Sequence, residues 1–448
     1  MKSIFKNWSK GSVLLTDVGW GDSGKGKCVS YLRADIGAKI IGGNNAGHTI
    51  VTDKGKFSLG YIPSTITNSK TVNLIGSEVV INLTFLKNEI ETLNTQGFKI
   101  SPATFILDPN SHLIMPWHKI RDALSEEAKG HLAIGSLHLG VGWTYSDRVN
   151  RCGLRLLDLY DRQWQEKLLN ELANQEVVIK QMAQEVKRKT DQPSRVDQQL
   201  DSKQIIKDYK NYRQFFKPYL QDTIAYIWKA IDSNKKIVFE DSHGVMLDIS
   251  HGSWPYTTGV NVALGAIYRS FGGKAVRSLK RILVATKAYQ TRVGGGPMPT
   301  EDNETFGNQL RQKGSEMGAR SGRPRRCGPI DLPLIRYGLN VAGVDLSDEI
   351  ALTKLDVLSG FDIIPLCVAY QFQGKKYSAI PHLDAQTLSQ VKAVYHHLPG
   401  WKEDISSIRK FKDLPVNAQN YVLFVEKQLG RNITFIGVGQ HQNAVILR

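Results

Sequence analysis

Short apolar runs alternate with amphipathic stretches along much of the chain, and this alternation predicts an α/β fold. Val13-Leu14-Leu15 reads as a strand, followed by a glycine-rich turn and a helix-compatible segment. Further strands are expected at residues 39–42, 71–75 and 105–107. Helices are expected over residues 83–96, where Gly97 is placed to end the helix, and over 117–128. The strand pattern returns at residues 236–240, 281–286, 363–369 and 433–439. Strands from both ends of the chain thus serve one large, mostly parallel central sheet flanked by helices. Residues 160–235 break the rhythm: they are polar, helix-prone and poor in glycine. They are expected to form a helical insertion, with 187–203 as a surface segment or mobile hairpin.

Composition narrows the class. A chain of 448 residues, 41% apolar and 22% charged, fits a single large domain over 1–448 that carries this insertion. No apolar run approaches the ~20 residues of a membrane span. The first residues carry charge but no signal-peptide core, so a cytoplasmic location is expected. The four cysteines, Cys28, Cys152, Cys327 and Cys367, form no C-x-x-C pair, which argues for free thiols rather than zinc or a disulfide framework. The net charge of +16 raises nucleic-acid binding as a reading. The basic residues are spread out, however, apart from Lys187-Arg188-Lys189 and Arg323-Pro324-Arg325-Arg326, and no zinc-finger or RNA-recognition signature accompanies them. A solvated basic surface that also suits small anionic substrates explains the charge better.

Five constellations carry chemistry. In the first, Gly19-Trp20-Gly21-Asp22-Ser23-Gly24-Lys25-Gly26-Lys27 follows the first strand, and bare N–H groups before a helix start make a phosphate cradle. The spacing matches a phosphate loop up to Lys25, but Gly26 stands where a Mg²⁺-binding Ser or Thr is usual. Asp22 is the obvious alternative metal oxygen. The second is Gly42-Gly43-Asn44-Asn45-Ala46-Gly47-His48-Thr49, which also follows a strand. It falls beside the first loop at the sheet's carboxyl edge, where His48 could donate to a transferring phosphoryl group. In the third, Thr353-Lys354-Leu355-Asp356, the carboxylate suits the N1 and N2 edge of guanine, which favours GTP over ATP. The fourth, residues 318–326, sets arginines on a loop shaped by glycine and proline, fit for carboxylate or phosphate capture. The fifth runs from Glu240 and Asp241 through His243 to Asp248, His251 and Thr258. Its spacing matches no common metal-ligand set and suits a polar ligand loop.

In this order and spacing the motifs resemble the adenylosuccinate synthetase family nearly end to end, from Trp20 to Leu447. Lys287-Ala288-Tyr289-x-Thr291-Arg292-Val293-Gly294 and Gly322-Arg323-Pro324-Arg325-Arg326-Cys327-Gly328 add to the match. The resemblance implies a phosphate-loop-like, GTP-binding α/β fold, usually a homodimer. It implies a GTP- and Mg²⁺-dependent ligase that joins L-aspartate to the 6-position of IMP through a 6-phosphoryl intermediate. Asp22, His48 and Lys25 would be catalytic. Gly21, Gly24, Gly26, Lys27, Gly47, Thr49, Lys354, Asp356 and Gly439 would bind GTP. Asn45, Ser136, Arg151, His243 and Thr258 would hold the purine monophosphate, with Arg151 reaching across from the partner subunit. Ser321, Arg323 and Arg325 would take the aspartate, and Asp22 with the Gly47 carbonyl would hold Mg²⁺.

The chain departs from the family at Gly19, Ser23, Asn44, Leu137, Leu139, His243 and Arg320. These fall mainly on the purine and amino-acid sides. Gly19 and Ser23 are smaller than the usual Gln and Glu, which suggests room for a 2-amino group. The same ligation on GMP or dGMP, as in viral relatives, is therefore the alternative, and a non-catalytic GTP-binding relative is a second.

Overall fold

Val13, Leu14 and Leu15 are wholly buried because their strand, Gly11–Asp17, runs through the middle of a nine-stranded sheet. The computed structural model describes residues 4–197, 199–318, 322–380 and 384–448. Its main sheet runs Val445–Leu447, Asn432–Gly437, Glu349–Thr353, Leu279–Lys287, Gly11–Asp17, Lys236–Gly244, Ile36–Lys39, Val72–Ile75, Phe105–Leu107. Neighbours are parallel except Asn432–Gly437 and Val445–Leu447, which are antiparallel. A parallel strand covered on both faces reads as an unbroken apolar run, which is why these strands stand out in the sequence.

The parallel register brings one set of strand ends to a common edge. Lys39 pairs with Glu240, and Thr353 with Lys287. The loops that leave these ends build the site, as is usual in open α/β sheets.

Three expectations shift. The second strand is Ile36–Lys39 rather than 39–42; Ile40 and Ile41 stay buried but already belong to the turn into the next glycine loop. The run at 363–369 does form a strand, Ile363–Phe372, but outside the main sheet. It pairs with Ile330–Asp331, Lys375–Tyr377 and Lys392–Pro399. Its burial alternates more than that of the central strands, as fits a sheet with a solvated face.

The polar stretch is helical, but it is not merely a solvated face. Trp164–Thr190 and Ser202–Phe216 each bury a narrow apolar stripe. Leu168, Leu172, Ile179 and Val186, with Ile205, Tyr209 and Phe216, join a second hydrophobic cluster with residues of helices Leu83–Thr95 and Pro116–Lys129. After helix Trp164–Thr190 the chain is anchored where Ser194 Oγ and the Arg195 N–H donate to Glu127. High charge on the outer face hides so thin a stripe in a composition count.

Candidate active site

The phosphate loop leaves Asp17 and enters helix Lys25–Tyr31. Gly24 caps the helix at φ 77, and Asp22 takes the same left-handed region at φ 57. Asp17, at the strand end, organises the turn. Its Oδ1 accepts the Gly19 N–H at 2.7 Å, and its Oδ2 accepts the Ser23 N–H at 3.3 Å and Lys25 Nζ at 3.4 Å. Lys25 also donates to the His243 carbonyl at 3.2 Å. The ammonium is thereby fixed, nearly solvent-free, between the ends of strands Gly11–Asp17 and Lys236–Gly244.

Gly26 lets this helix approach the second loop. A Cβ there would stand 3.0 Å from the Cβ of His48 and 3.2 Å from Ser64 Oγ. His48 is buried and directs Nδ1 at Glu240 Oε1. Glu240 also accepts the N–H and hydroxyl of Ser64 at 2.7 and 2.6 Å. Burial would raise the Glu240 carboxyl, but His48, Lys39 and Ser64 outweigh it and hold the group at about 2. Burial, then the charge of Lys39, lowers His48 to about 4 despite Glu240. At neutral pH the ring is therefore neutral, with the proton on Nδ1. Nε2 is left as a buried acceptor with no protein partner. It becomes a donor only when an arriving anion stabilises a second proton.

Thr353 ends its strand against the phosphate loop and donates to the Ser23 carbonyl at 2.9 Å. Lys354 then takes φ 58 and turns the chain toward Asp356. One Asp356 oxygen is buried without a partner, and burial raises its pKa, as suits a carboxylate that awaits N–H donors. Lys27 does not point at this space. Its Nζ donates to the carbonyls of Gly439 and Ala444, both at 2.7 Å, and burial lowers it to about 8. Both residues expected at GTP here, Lys27 and Gly439, are thus joined to each other. Thr49 lies exposed on strand His48–Thr52.

Between the loops opens a cavity of about 740 Å³, whose walls include Gly21, Asp22, Asn45, Gly47, Ser136, His243 and Thr258. Trp20 Nε1, Asn45 Oδ1 and His243 Nε2 are buried there without partners, and so mark where a polar ligand belongs. Burial, then Lys25 and Lys39, pushes His243 down to about 3, so this ring is neutral too. Leu137 and Leu139 line the same wall. Asn44 is buried beside it. Gly19 and Ser23 do not line the cavity. Gly19 faces Gln290, and Ser23 is buried with its N–H on Asp17 and its hydroxyl on the Gly21 carbonyl. A Cβ at Gly19 would meet Gln290 Oε1 at 3.2 Å and the Ser23 hydroxyl turns to the Gly21 carbonyl, so neither position borders the cavity.

Arg325 Nε and Nη2 share one oxygen of Asp22, at 2.8 and 2.6 Å. Arg323 is exposed, with Nη1 3.3 Å from the Gly135 carbonyl. Ser321 and Arg320 lie outside the described residues. Arg151 is exposed at the end of helix Val141–Asn150, outside the cavity wall of its own chain.

Three acids of the site, Asp17, Glu316 and Glu126, have no part in the sequence motifs, and Glu240 appears there only at the start of a polar ligand loop and not as the partner of His48. Glu126 accepts the N–H groups of Gly135 and Ser136, and so shapes the loop that carries Ser136. Asp17 had a signal, an acid closing an apolar strand just before the glycines. Glu240 had a weaker one, since it interrupts a buried strand.

A phosphate cradle, a guanine-type reader and a cavity with unpaired polar groups, all on one edge of a parallel sheet, define an enzyme that handles a purine nucleotide and a phosphoryl group. Its sequence matches the adenylosuccinate synthetase family model over residues 14–446. It is 37% identical to the adenylosuccinate synthetase of Halothermothrix orenii, over 98% of this chain and 99% of that protein. The fully ligated adenylosuccinate synthetase of Plasmodium falciparum matches at a TM-score of 0.87 with 31% identity, covering 98% of this chain and all of that one. A cyanophage S-2L succinoaminodeoxyadenylate synthetase bound to dGMP and dATP shares only the fold, at a TM-score of 0.59 and 16% identity. The chain belongs to the adenylosuccinate synthetase family.

Proposed function

We infer that the protein ligates L-aspartate to the 6-position of IMP at the expense of GTP, giving adenylosuccinate, GDP and phosphate. The carrying observation is that Asp22 and the unpaired Nε2 of His243 share one cavity wall, next to the loop bearing His48. In this reading Asp22 removes the N1 proton of the 6-oxopurine, and O6 attacks the γ-phosphate of GTP. His48 Nε2, backed by Glu240, takes up a proton and stabilises charge on the transferring group. The aspartate amine then displaces phosphate from C6 and loses a proton. Arg323 and Arg325 hold the aspartate carboxylates, and Lys354 and Asp356 read the guanine.

Asp22 and the Gly47 carbonyl stand on the same cavity wall, an all-oxygen pair that suits Mg²⁺. Bound there, the ion would offset the charge of the phosphates. Arg151, exposed and off its own cavity, suits a role in a partner's site within a homodimer. Mixing Arg151→Leu with Asp22→Asn subunits should then restore part of the activity that each lacks alone.

The Halothermothrix orenii and Plasmodium falciparum proteins, at 37% and 31% identity, are adenylosuccinate synthetases, and Ser23 and Gly19 do not border the cavity, so IMP is preferred over GMP or dGMP as acceptor. The test offers IMP, dIMP, GMP and dGMP with GTP, Mg²⁺ and aspartate, and measures succinyl-nucleotide product and phosphate release. Product from dGMP but none from IMP would overturn this reading.

A further inference from the structure

Glu316 is fully buried, and it takes four donors on one carboxylate. Lys354 Nζ at 2.6 Å and the Tyr289 hydroxyl reach Oε1; Arg325 Nη1 at 2.6 Å and Lys287 Nζ at 3.0 Å reach Oε2. Burial disfavours its charge, yet Lys287, Lys354 and Arg325 keep the group ionised. Its backbone carbonyl accepts the Arg325 N–H at 2.9 Å, and next to it Met317 pairs with Pro324. Glu316 and Arg325 therefore form the stem of the loop assigned to aspartate. Lys354, assigned to guanine, is tied to the same stem by Glu316 and by the Gly314 carbonyl at 2.7 Å. Beyond Arg325 the chain of contacts ends on Asp22.

We propose that Glu316 is a positioning residue that couples the guanine site to the aspartate site, by fixing Lys354 and Arg325 through the two oxygens of one carboxylate. A lysine stem held against a bound base cannot also wander, so its ammonium holds Glu316 in place, and Glu316 then presents Arg325. Each arginine N–H bonded to Glu316 is one fewer to be ordered when the substrate carboxylate displaces Asp22 from the guanidinium. Guanine nucleotide then strengthens aspartate binding, and the effect is reciprocal. This inference rests on the proposed roles of Lys354 and Arg325.

The test uses the full chain with IMP bound and measures L-aspartate affinity with and without GDP, a mixture that cannot turn over. Trp20, on the cavity wall, supplies a fluorescence signal. In the parent protein GDP should tighten aspartate binding by about 5-fold or more. In Glu316→Gln the factor should fall below about 2-fold. A residue that only supports the fold would lower the melting temperature and leave this ratio unchanged. If Glu316→Gln does not fold, Glu316→Asp keeps the charge, draws it back by one methylene and should lose the coupling as well. A parent that shows both ligands binding and forms product, with coupling intact in the variant, overturns the inference and spares the proposed function. A parent that binds neither GDP nor aspartate overturns both.

Discussion

His48 directs Nδ1 at the carboxylate of Glu240 in the interior, and Glu240 is held there by Ser64 from the other side. The pair fixes which nitrogen of His48 is free for the phosphoryl group. Glu240→Gln keeps the shape and removes the charge that would stabilise a doubly protonated ring. The expected result is a fall in kcat of about 100-fold with little change in the KM for GTP. Steady-state kinetics with IMP, GTP and aspartate would check it. A variant with an unchanged kcat would remove Glu240 from the mechanism.

Asp22→Asn should abolish proton removal from N1 while leaving the phosphate loop intact. Product formation should drop by at least about 100-fold, and GTP should still bind in a fluorescence or calorimetric titration. Full activity would sink the proposed base.

Asp356 has an unpartnered buried oxygen and no competing strong donor on it. Asp356→Asn puts an amide where guanine needs two acceptors. Losing a charge-assisted hydrogen bond costs about 1.5–3 kcal/mol, so the KM for GTP should rise roughly 10- to 100-fold. The KM for IMP should stay within error, which separates base reading from general damage.

Gly26→Ala places a methyl at 3.0 Å from the Cβ of His48. Overpacking of this kind costs about 1–3 kcal/mol, and here it also displaces the His48 ring. Thermal melting and kcat should fall together, unlike in Glu240→Gln, where kcat should fall with the smaller loss of stability.

Falling pH should destabilise the protein through its buried histidines, in a range where Asp331, raised by burial to about 7, works in the opposite direction. His48 and His243 are lowered to about 4 and about 3, below the ordinary histidine value. The unfolded chain therefore binds more protons than the folded one, and stability falls as pH drops from about 6.5 toward these values. Each ring contributes a loss on the order of 2 kcal/mol between pH 7 and pH 5. Melting temperature against pH should show the decline, and His243→Gln should make it shallower. Melting that is flat from pH 7 to pH 5 would contradict the buried, neutral state of both rings.

The glycine loops and the parallel strands were legible because their physics is local. Val13-Leu14-Leu15 is apolar because both faces of its strand are covered, and Gly19 to Lys27 is glycine-rich because backbone must face an anion. What was not legible depends on distant pairing. Nothing around Ile363 tells which sheet it joins, since its partners start at Ile330 and Lys392. Glu316 is an acid 9 residues before Arg325 and 38 before Lys354, and only the fold shows that it holds both. Ser23 is a further case: its small size suggests space in the pocket, whereas its N–H is bound to Asp17 and its hydroxyl lies on the Gly21 carbonyl.

Lys27 donates to carbonyls that lie 412 and 417 residues further along the chain. The helix behind the phosphate loop is thus pinned by backbone from a distant segment, and the loop reaches its final position only when that long-range contact has closed.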